Sequence, residues 1–430
     1  MPEAATPYRI TIPRHNWNGQ ASYARATLQT WDWRWAPARR AGAVELDFSQ
    51  VEFMEPWALG MFAAFGATLR AEGVGVRVVL DEANPSNKYM RSMGLVDVIE
   101  RGEPSRAWDA STQDTGLHII RTHQDVVRFL SSSGALVRGP SESALDALKY
   151  GMSEMARNVV QHAQAAAGGV AIAQFFPDAK ALQVAICDAG IGVFKSLKRN
   201  YPELLSDLES LKLALLPHSS GAVATAPYAS LDNAGLGLFF CKEIAWRAGG
   251  TFWLVSGKAL IGVQDNDSSG RGRIYRRVNP WPGMLVVMHL PHELVVDFAD
   301  LLSVCRELSG KARTDSASSG LDFVDNESDI AVEEDFVHVD VEPFIEDVER
   351  AKECRESVIR PAIAQGRLVE LDFGGTRFVT QSFVHALLYE VFKTPGSLTK
   401  LSFRRCTPST EEAIRLVAAY SAATYRQQPL

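Results

Sequence analysis

The pentapeptide Val-Glu-Leu-Asp-Phe occurs twice in this chain, at Val44–Phe48 and again at Val369–Phe373. Its apolar residues alternate with period two, the pattern of a half-buried β-strand. At the same offset along the chain Phe53 matches Phe378, Met54 matches Val379 and Leu59 matches Val384. An identity that continues into the following apolar positions marks an internal repeat, so the chain must build the same unit near both ends. The first copy is the easier to read. Tyr8–Ile12 is a short strand, and a helix follows Val44–Phe48 from about Pro56 to Glu72. Proline fits the first helical turn because the N–H it lacks has no partner there. Gly73 and Gly75 close that helix, Val76–Leu80 is an apolar strand, and Asn84-Pro85 turns into a short helix from Ser86 to Met93. Strand, helix, strand, helix defines a small α/β domain.

Between the copies lies the longest region, about Leu117–Glu293, organised around the stretch SEMARNVVQH, Ser153 to His162. Glu154, Asn158 and His162 stand at i, i+4 and i+8, one stripe on a helix. Leu148, Met152, Met155 and Val159 fill the opposite side, so the stripe is polar against a buried back. A carboxylate and a carboxamide one turn apart can share a cation and a water, whereas His162 reads as structural. Gly169–Phe176 and Ala181–Cys187 are strands, the second ending in Asp188-Ala-Gly-Ile-Gly192. A buried carboxylate there can accept a hydrogen bond from an exocyclic amine such as that of adenine. Gly190 and Gly192 would let backbone approach a flat base closely. A helix over Pro202–Leu216 and a small-residue run, Ser219–Ser230, lead to Gly235-Leu236-Gly237. These residues open a helix to about Ala248, whose first N–H groups can hold phosphate. Strands at Gly250–Ser256 and Gly283–Leu290 flank a basic hairpin with Arg271, Arg273, Arg276 and Arg277. Each motif alone is common, but all three in this order are far rarer.

Composition narrows the classes. The formal net charge is −7, which argues against broad nucleic-acid binding. The five cysteines are scattered with no C-x-x-C, a set that reads as reduced thiols in a cytosol. No signal peptide and no 18-residue apolar run is found, so the expectation is a cytoplasmic protein without a membrane segment. From Lys311 to Asp335 the composition shifts to Ser, Asp and Glu, as in a solvated acidic linker.

The first copy resembles a STAS domain, the fold of bacterial anti-sigma-factor antagonists. The match rests on Val51-Glu-Phe-Met-Glu-Pro-Trp-Ala-Leu-Gly60 after the strand, on Asn84-Pro85 and on Met93-Gly94-Leu95. The serine phosphorylated in that family falls on Trp57, which has no hydroxyl. In the second copy it falls on Ser382, with Thr380 nearby, and the plain alternative is that Ser382 only caps its helix.

The central motifs resemble the GHKL family of ATP-binding modules over the stretch Glu142–Pro291. By that resemblance Asn158 would coordinate Mg²⁺ bridging the ATP phosphates, and Glu154 would act on the attacking nucleophile as general base or positioning group. Asp188, with Gly190 and Gly192, would read the adenine; residues 194–234 would form the lid; Gly235, Leu236 and Gly237 would hug the phosphates. Two departures are Ala234, where many relatives carry glycine, and the lack of an obvious lysine for the γ-phosphate.

The expectation is therefore a chain of mixed α/β and α+β class, a central GHKL α/β sandwich between two small STAS-like α/β domains. The segments are a STAS-like domain over 1–110, the ATP-binding domain over 111–300, an acidic flexible linker over 301–335, and a second STAS-like domain over 336–430. The implied function is an ATP- and Mg²⁺-binding regulatory switch with slow hydrolysis, acting on a protein partner through the flanking domains, with a homodimer left open. The alternatives are an anti-sigma-type serine/threonine kinase phosphorylating a STAS domain, and a non-catalytic ATP-gated scaffold.

Overall fold

The computed structural model describes residues 6–14, 27–103, 113–136, 138–199, 201–202, 204–216, 236–264, 273–275, 278–310, 321–324, 336–394, 397 and 400–425. The chain divides into two compact units, Met1–Leu216 with Cys241–Val295, and Pro217–Phe240 with Val296–Leu430.

The first unit opens with a parallel three-stranded sheet in the order β1 (Tyr8–Thr11), β2 (Ala43–Asp47), β3 (Gly75–Val79). Helix α1 (Trp35–Ala41) precedes β2, α2 (Pro56–Ala71) joins β2 to β3, and α3 (Pro85–Ser92) follows. Helix α2 has its proline at the first turn, and fourteen of its sixteen residues are buried. A helix on a solvent surface shows one apolar stripe; one that is apolar all round must be covered on every side.

The second cover is a seven-stranded antiparallel sheet, whose strands run β4 (His118–Ile120), β5 (Gly169–Phe176), β6 (Ala181–Asp188), β10 (Trp281–Pro291), β7 (Thr251–Gly257), β8 (Ala259–Gln264) and β9 (Arg273–Tyr275). Successive strand residues point to opposite faces and register partners share a face. Ala185 and Cys187 of β6, with Val170, Ile172, Trp253, Val255, Leu285 and Val287, join one core with α2 and the first sheet. Val184 and Ile186, with Ala171, Ala173, Phe252, Leu254, Val286 and Met288, are buried on the opposite face. The two sheets thus share one core through α2. Helix α4 (His123–Ser132) follows β4, and α5 (Glu142–Asn158) packs against β6 and β10. A Cβ on Gly151 of α5 would lie 2.9 Å from the Met288 sulfur, so the helix sits directly on the sheet.

The joint between α2 and the large sheet contains one buried amide. Gln183, fully buried on β6, accepts the Trp57 N–H through Oε1 at 3.1 Å and so caps α2 from another element. Its Nε2 donates to Glu55 Oε2 at 2.7 Å and to His289 Nε2 at 2.5 Å.

In the second unit a parallel sheet runs β11 (Asp322–Val324), β14 (Leu401–Arg404), β13 (Leu368–Asp372), β12 (Phe336–Asp340). Helices α9 (Phe298–Gly310), α10 (Val348–Cys354), α11 (Arg360–Ala364), α12 (Gln381–Phe392) and α13 (Pro408–Tyr425) complete it. The repeat holds in strand register. Leu46 pairs with Val78 in the first copy, and the residues matching them in the second, Leu371 and Phe403, pair with each other. Glu55 and Thr380, which also match, are the N-cap residues of α2 and α12.

The expected linker is corrected in two places. Residues 301–310 belong to α9, and 322–324 form edge strand β11. The reason is local apolarity: Phe323 packs 5.3 Å from Phe403, and the Arg415 guanidinium lies 4.3 Å from the Phe323 ring centre. The rest of the acidic stretch lies outside the described residues, as do Arg271, Arg276 and Arg277.

Replacing Gln183 by leucine leaves the Trp57 N–H and the Glu55 carboxylate short of a buried partner. Gln183→Leu is expected to cost about 2 kcal/mol and to lower the thermal midpoint of the first unit by roughly 4–8 °C. An unchanged melting curve would show that the amide does not hold the joint.

Candidate nucleotide-binding site

Ser141 starts α5 by accepting the Ala144 N–H through its side chain, and the helix runs to Asn158. Glu154 and Asn158 stand one turn apart on it. Glu154 is buried, and its Oε1 lies 4.0 Å from Nη1 of Arg157, itself 1% exposed. A buried guanidinium one turn from a buried carboxylate supplies the opposite charge that such a group needs. Arg157 carries no distinguishing signal in the sequence, where it reads as an ordinary helical arginine. The Asn158 Nδ2 is buried and has no hydrogen-bond partner among the described residues. An orphaned amide donor of this kind is what a phosphate oxygen would satisfy. Asn158 thus fits the role of turning its oxygen to a cation and its nitrogen to a phosphate. No group of three or more His, Cys, Asp or Glu is placed to hold a metal among the described residues. A Mg²⁺ here would therefore take most of its ligands from phosphates and water.

Past Asn158 the backbone widens into a π-helical turn, Val159–Ala163, ending at Gln164 in the left-handed region. His162 lies within this widened turn. Burial pushes its imidazole below the usual range, which agrees with a structural role.

The π-helical turn is clamped to the loop after β6. Ile191 N–H donates to the Ala163 carbonyl at 2.8 Å, and a Cβ on Gly190 would lie 1.9 Å from that same oxygen. Gly190 is thus required for contact with the chain itself. Gly192 has φ +73°, and a Cβ there would meet the Pro282 carbonyl at 2.7 Å and the Ser256 hydroxyl at 2.8 Å. That hydroxyl accepts the Val193 N–H at 3.0 Å and donates to the Gly283 carbonyl at 2.7 Å. At both glycines a side chain would collide with backbone or side-chain atoms around Asp188, so the close packing of this loop requires them.

Asp188 ends β6, paired with Gly169 on one side and Met284 on the other. Its Oδ1 accepts the Gly190 N–H at 2.8 Å, and the Met284 N–H also donates to the carboxylate. Burial pushes the carboxyl up to about 6 against the pull of those two amides. Strand β10 is irregular between Trp281 and Met284, and a Cβ on Gly283 would lie 2.2 Å from the Asp188 carbonyl oxygen. Gly283 thus permits the close packing on Asp188, whereas the sequence shows it only as a strand start.

Of the expected lid, residues 194–216 include two packed helices, α6 (Gly192–Lys198) and α7 (Asp207–Ala214), the latter against β7 and β8. The helix expected over Pro202–Leu216 is thus shorter. Asp207 fixes it by accepting the Lys258 N–H at 3.0 Å. Residues 217–235, including Ala234 and Gly235, lie outside the described residues. Leu236 is buried, and Gly237 is the first residue of α8 (Gly237–Arg247), so that helix begins where the glycine pair placed it.

Residues 120–249 match the family model of the histidine kinase-like ATPase domain. The centre of the chain is therefore a GHKL-type ATPase module, and the match spans Glu154, Asn158, Asp188, Gly190, Gly192, Gly235, Leu236 and Gly237. It does not extend to the flanking sheets. No curated protein and no solved structure matches the chain. No helix among the described residues is long and apolar enough to cross a membrane.

An amine N–H is accepted best by an ionised carboxylate, so ATP affinity should be full above pH 6 and fall as pH drops through about 6. Asp188→Asn should weaken ATP binding by about tenfold or more, the loss of a charged hydrogen bond of about 1.5–3 kcal/mol. It should also abolish that pH step. A wild-type affinity in the variant, measured calorimetrically, would remove Asp188 from the site.

Proposed function

We propose that this protein is an ATP- and Mg²⁺-binding regulatory switch that hydrolyses ATP slowly. Asp188 reads the adenine amine, Asn158 shares Mg²⁺ and the phosphates, and Glu154 positions or deprotonates the attacking water. The helix opened by Gly235, Leu236 and Gly237 receives the phosphates. The flanking STAS-like domains carry the state of the site to a protein partner.

The observation that carries the reading is the pairing of an orphaned Asn158 amide with a buried, backbone-cradled Asp188, within a segment that matches the ATPase family. Mg²⁺, when bound, would neutralise charge on the transferred phosphoryl group. The protein's own groups would orient the base, exclude water and hold the nucleophile.

A kinase acting on its own second repeat is disfavoured. Ser382 is 7% exposed in the first turn of α12, and the helix is capped by Thr380, whose hydroxyl accepts the Phe383 N–H at 3.3 Å. The Thr380 hydroxyl donates to Glu346 at 2.6 Å and is fully buried. Both hydroxyls are buried.

Labelled γ-phosphate decides the reaction. Wild type should release free phosphate, and Glu154→Ala should bind ATP within about threefold of wild type while losing about 10²-fold or more in turnover. Equal turnover in the variant would exclude Glu154 as base. Label retained on the protein, or on an added STAS protein, would replace the ATPase reading with a kinase.

A further inference from the structure

Asp188 is held by more than its two amide donors. The strand ladder ends at this residue, so its own carbonyl oxygen points past the sheet and needs a partner. It accepts the indole N–H of Trp281 at 2.7 Å, and Trp281 is fully buried. That bond fixes the peptide plane after Asp188. The next N–H but one, of Gly190, is the donor that orients the carboxylate.

Trp281 is held from the other side by the first domain. Trp33, 3% exposed, meets it edge-on at 4.7 Å between ring centres, and Trp35 lies 5.6 Å away. Trp33 is itself packed on Phe62 and Phe65 of α2, at 5.1 Å and 5.7 Å. Two hydrogen bonds lock the same segment in place. Asn279 N–H donates to the Leu28 carbonyl at 2.7 Å, and Asn279 Nδ2 to the Trp31 carbonyl at 2.9 Å. A buried indole that reaches a backbone oxygen is both rigid and directional, since its only donor is fixed in the ring plane.

We infer that Trp281 is a positioning residue for the base-reading carboxylate, and that the 27–35 segment of the first domain sets adenine selectivity by holding Trp281 in place. The inference rests on the ATP-site reading above and deepens it. A carboxylate accepts the adenine amine but faces an oxygen where guanine carries its carbonyl, so selectivity depends on how firmly the carboxylate is aimed. A loosened Asp188 still leaves the phosphate-binding elements intact. Loss of Trp281 should therefore fall on base discrimination and leave phosphate affinity alone.

The test uses the full chain and equilibrium binding of ATP, GTP and inorganic tripolyphosphate to wild type, Trp281→Phe, Trp33→Phe and Trp57→Phe. Phenylalanine at 281 keeps an aromatic ring in the cluster and removes only the N–H and part of the area. Trp281→Phe should weaken ATP by about tenfold, the loss of one buried hydrogen bond, reduce the ATP-to-GTP ratio by a similar factor and leave tripolyphosphate unchanged. Trp33→Phe should shift the ratio the same way by less. Trp57→Phe, in the same core but away from Asp188, should leave the ratio at its wild-type value. Should Trp281→Phe fail to fold, the Trp33→Phe ratio decides. An ATP-to-GTP ratio equal to wild type in the folded variants overturns the inference. If Asp188→Asn also binds ATP as wild type does, the site reading fails with it; if Asp188→Asn is weakened, only the role of Trp281 falls.

Discussion

A sheet with apolar side chains on both faces must be covered on both faces, and the first unit depends on how that cover is supplied. Strand β6 shows the problem residue by residue. Ala185 and Cys187 point one way, Val184 and Ile186 the other, and all are buried. Helix α5 covers one side. On the other lies α2, a helix whose own sequence, PWALGMFAAFGATLRA, is apolar or small on every side. Each lacks a stable solvent-facing surface without the other. At roughly 25 cal/mol per Å² of apolar area, two such faces sealed together outweigh any single polar contact in the joint. Small residues of α2 permit close approach on both sides: a Cβ on Gly60 would lie 4.0 Å from Ile172 of β5, and one on Gly66 2.7 Å from Ile99 in the turn over 97–101.

Within that apolar joint the few polar groups must be fully matched, and their pairing is determined. The Trp57 N–H can only donate, so the facing atom of Gln183 is its oxygen, and its nitrogen faces Glu55 and His289. The His289 Nε2 then faces the Gln183 amide nitrogen, and its Nδ1 faces Thr251 Oγ1 at 3.0 Å. The orientation of the His289 ring is thus tied to a backbone amide on another element. The same strand that carries Gln183 ends at Asp188. One side of β6 is fastened to α2 while its terminus carries Asp188, so the two are mechanically one piece.

Short-range signals are legible in the sequence. The strand Gly169–Phe176 can be read to the residue from its apolar run, and α2 from Pro56 and its glycine stop. The repeated pentapeptide implies two similar strands, and both sit in parallel sheets with matching register. What cannot be read is contact between distant segments. Gly190 is needed because Ala163, on the far side of two strands, returns its carbonyl to within 1.9 Å of where a Cβ would stand. Gly283 and Trp281 act on Asp188 from a strand much later in the chain. Arg157 and Gln183 look like surface residues by type, and only burial reveals them. The widened turn after Asn158 carries no composition signal, so periodicity alone extends a regular helix through His162. Strand β11 is three residues long, within a stretch whose composition is that of a linker.

The two repeats also show how one strand-end carboxylate tolerates different support. Asp47 accepts the N–H of Ser49 at 3.0 Å, and Asp372 that of Gly374 at 2.8 Å, the same turn in both copies. Burial pushes both carboxyls up, but in each the hydrogen bonds outweigh it and the net shift is downward. The arginine differs in origin. Arg9 reaches Asp47 from β1, whereas Arg405 reaches Asp372 from beyond β14, on the opposite neighbour. A charge-assisted fork onto a carboxylate depends on distance and angle, not on which strand supplies it. The helices after these carboxylates diverge more. Helix α2 starts with Pro56 and Trp57 and is covered by a second sheet, while α12 starts with Gln381 and Ser382 and lies against α10 and α13. With both helix starts buried, neither copy presents the position at which the STAS resemblance places its phosphoacceptor. The variation that separates the repeats lies in what each helix packs against.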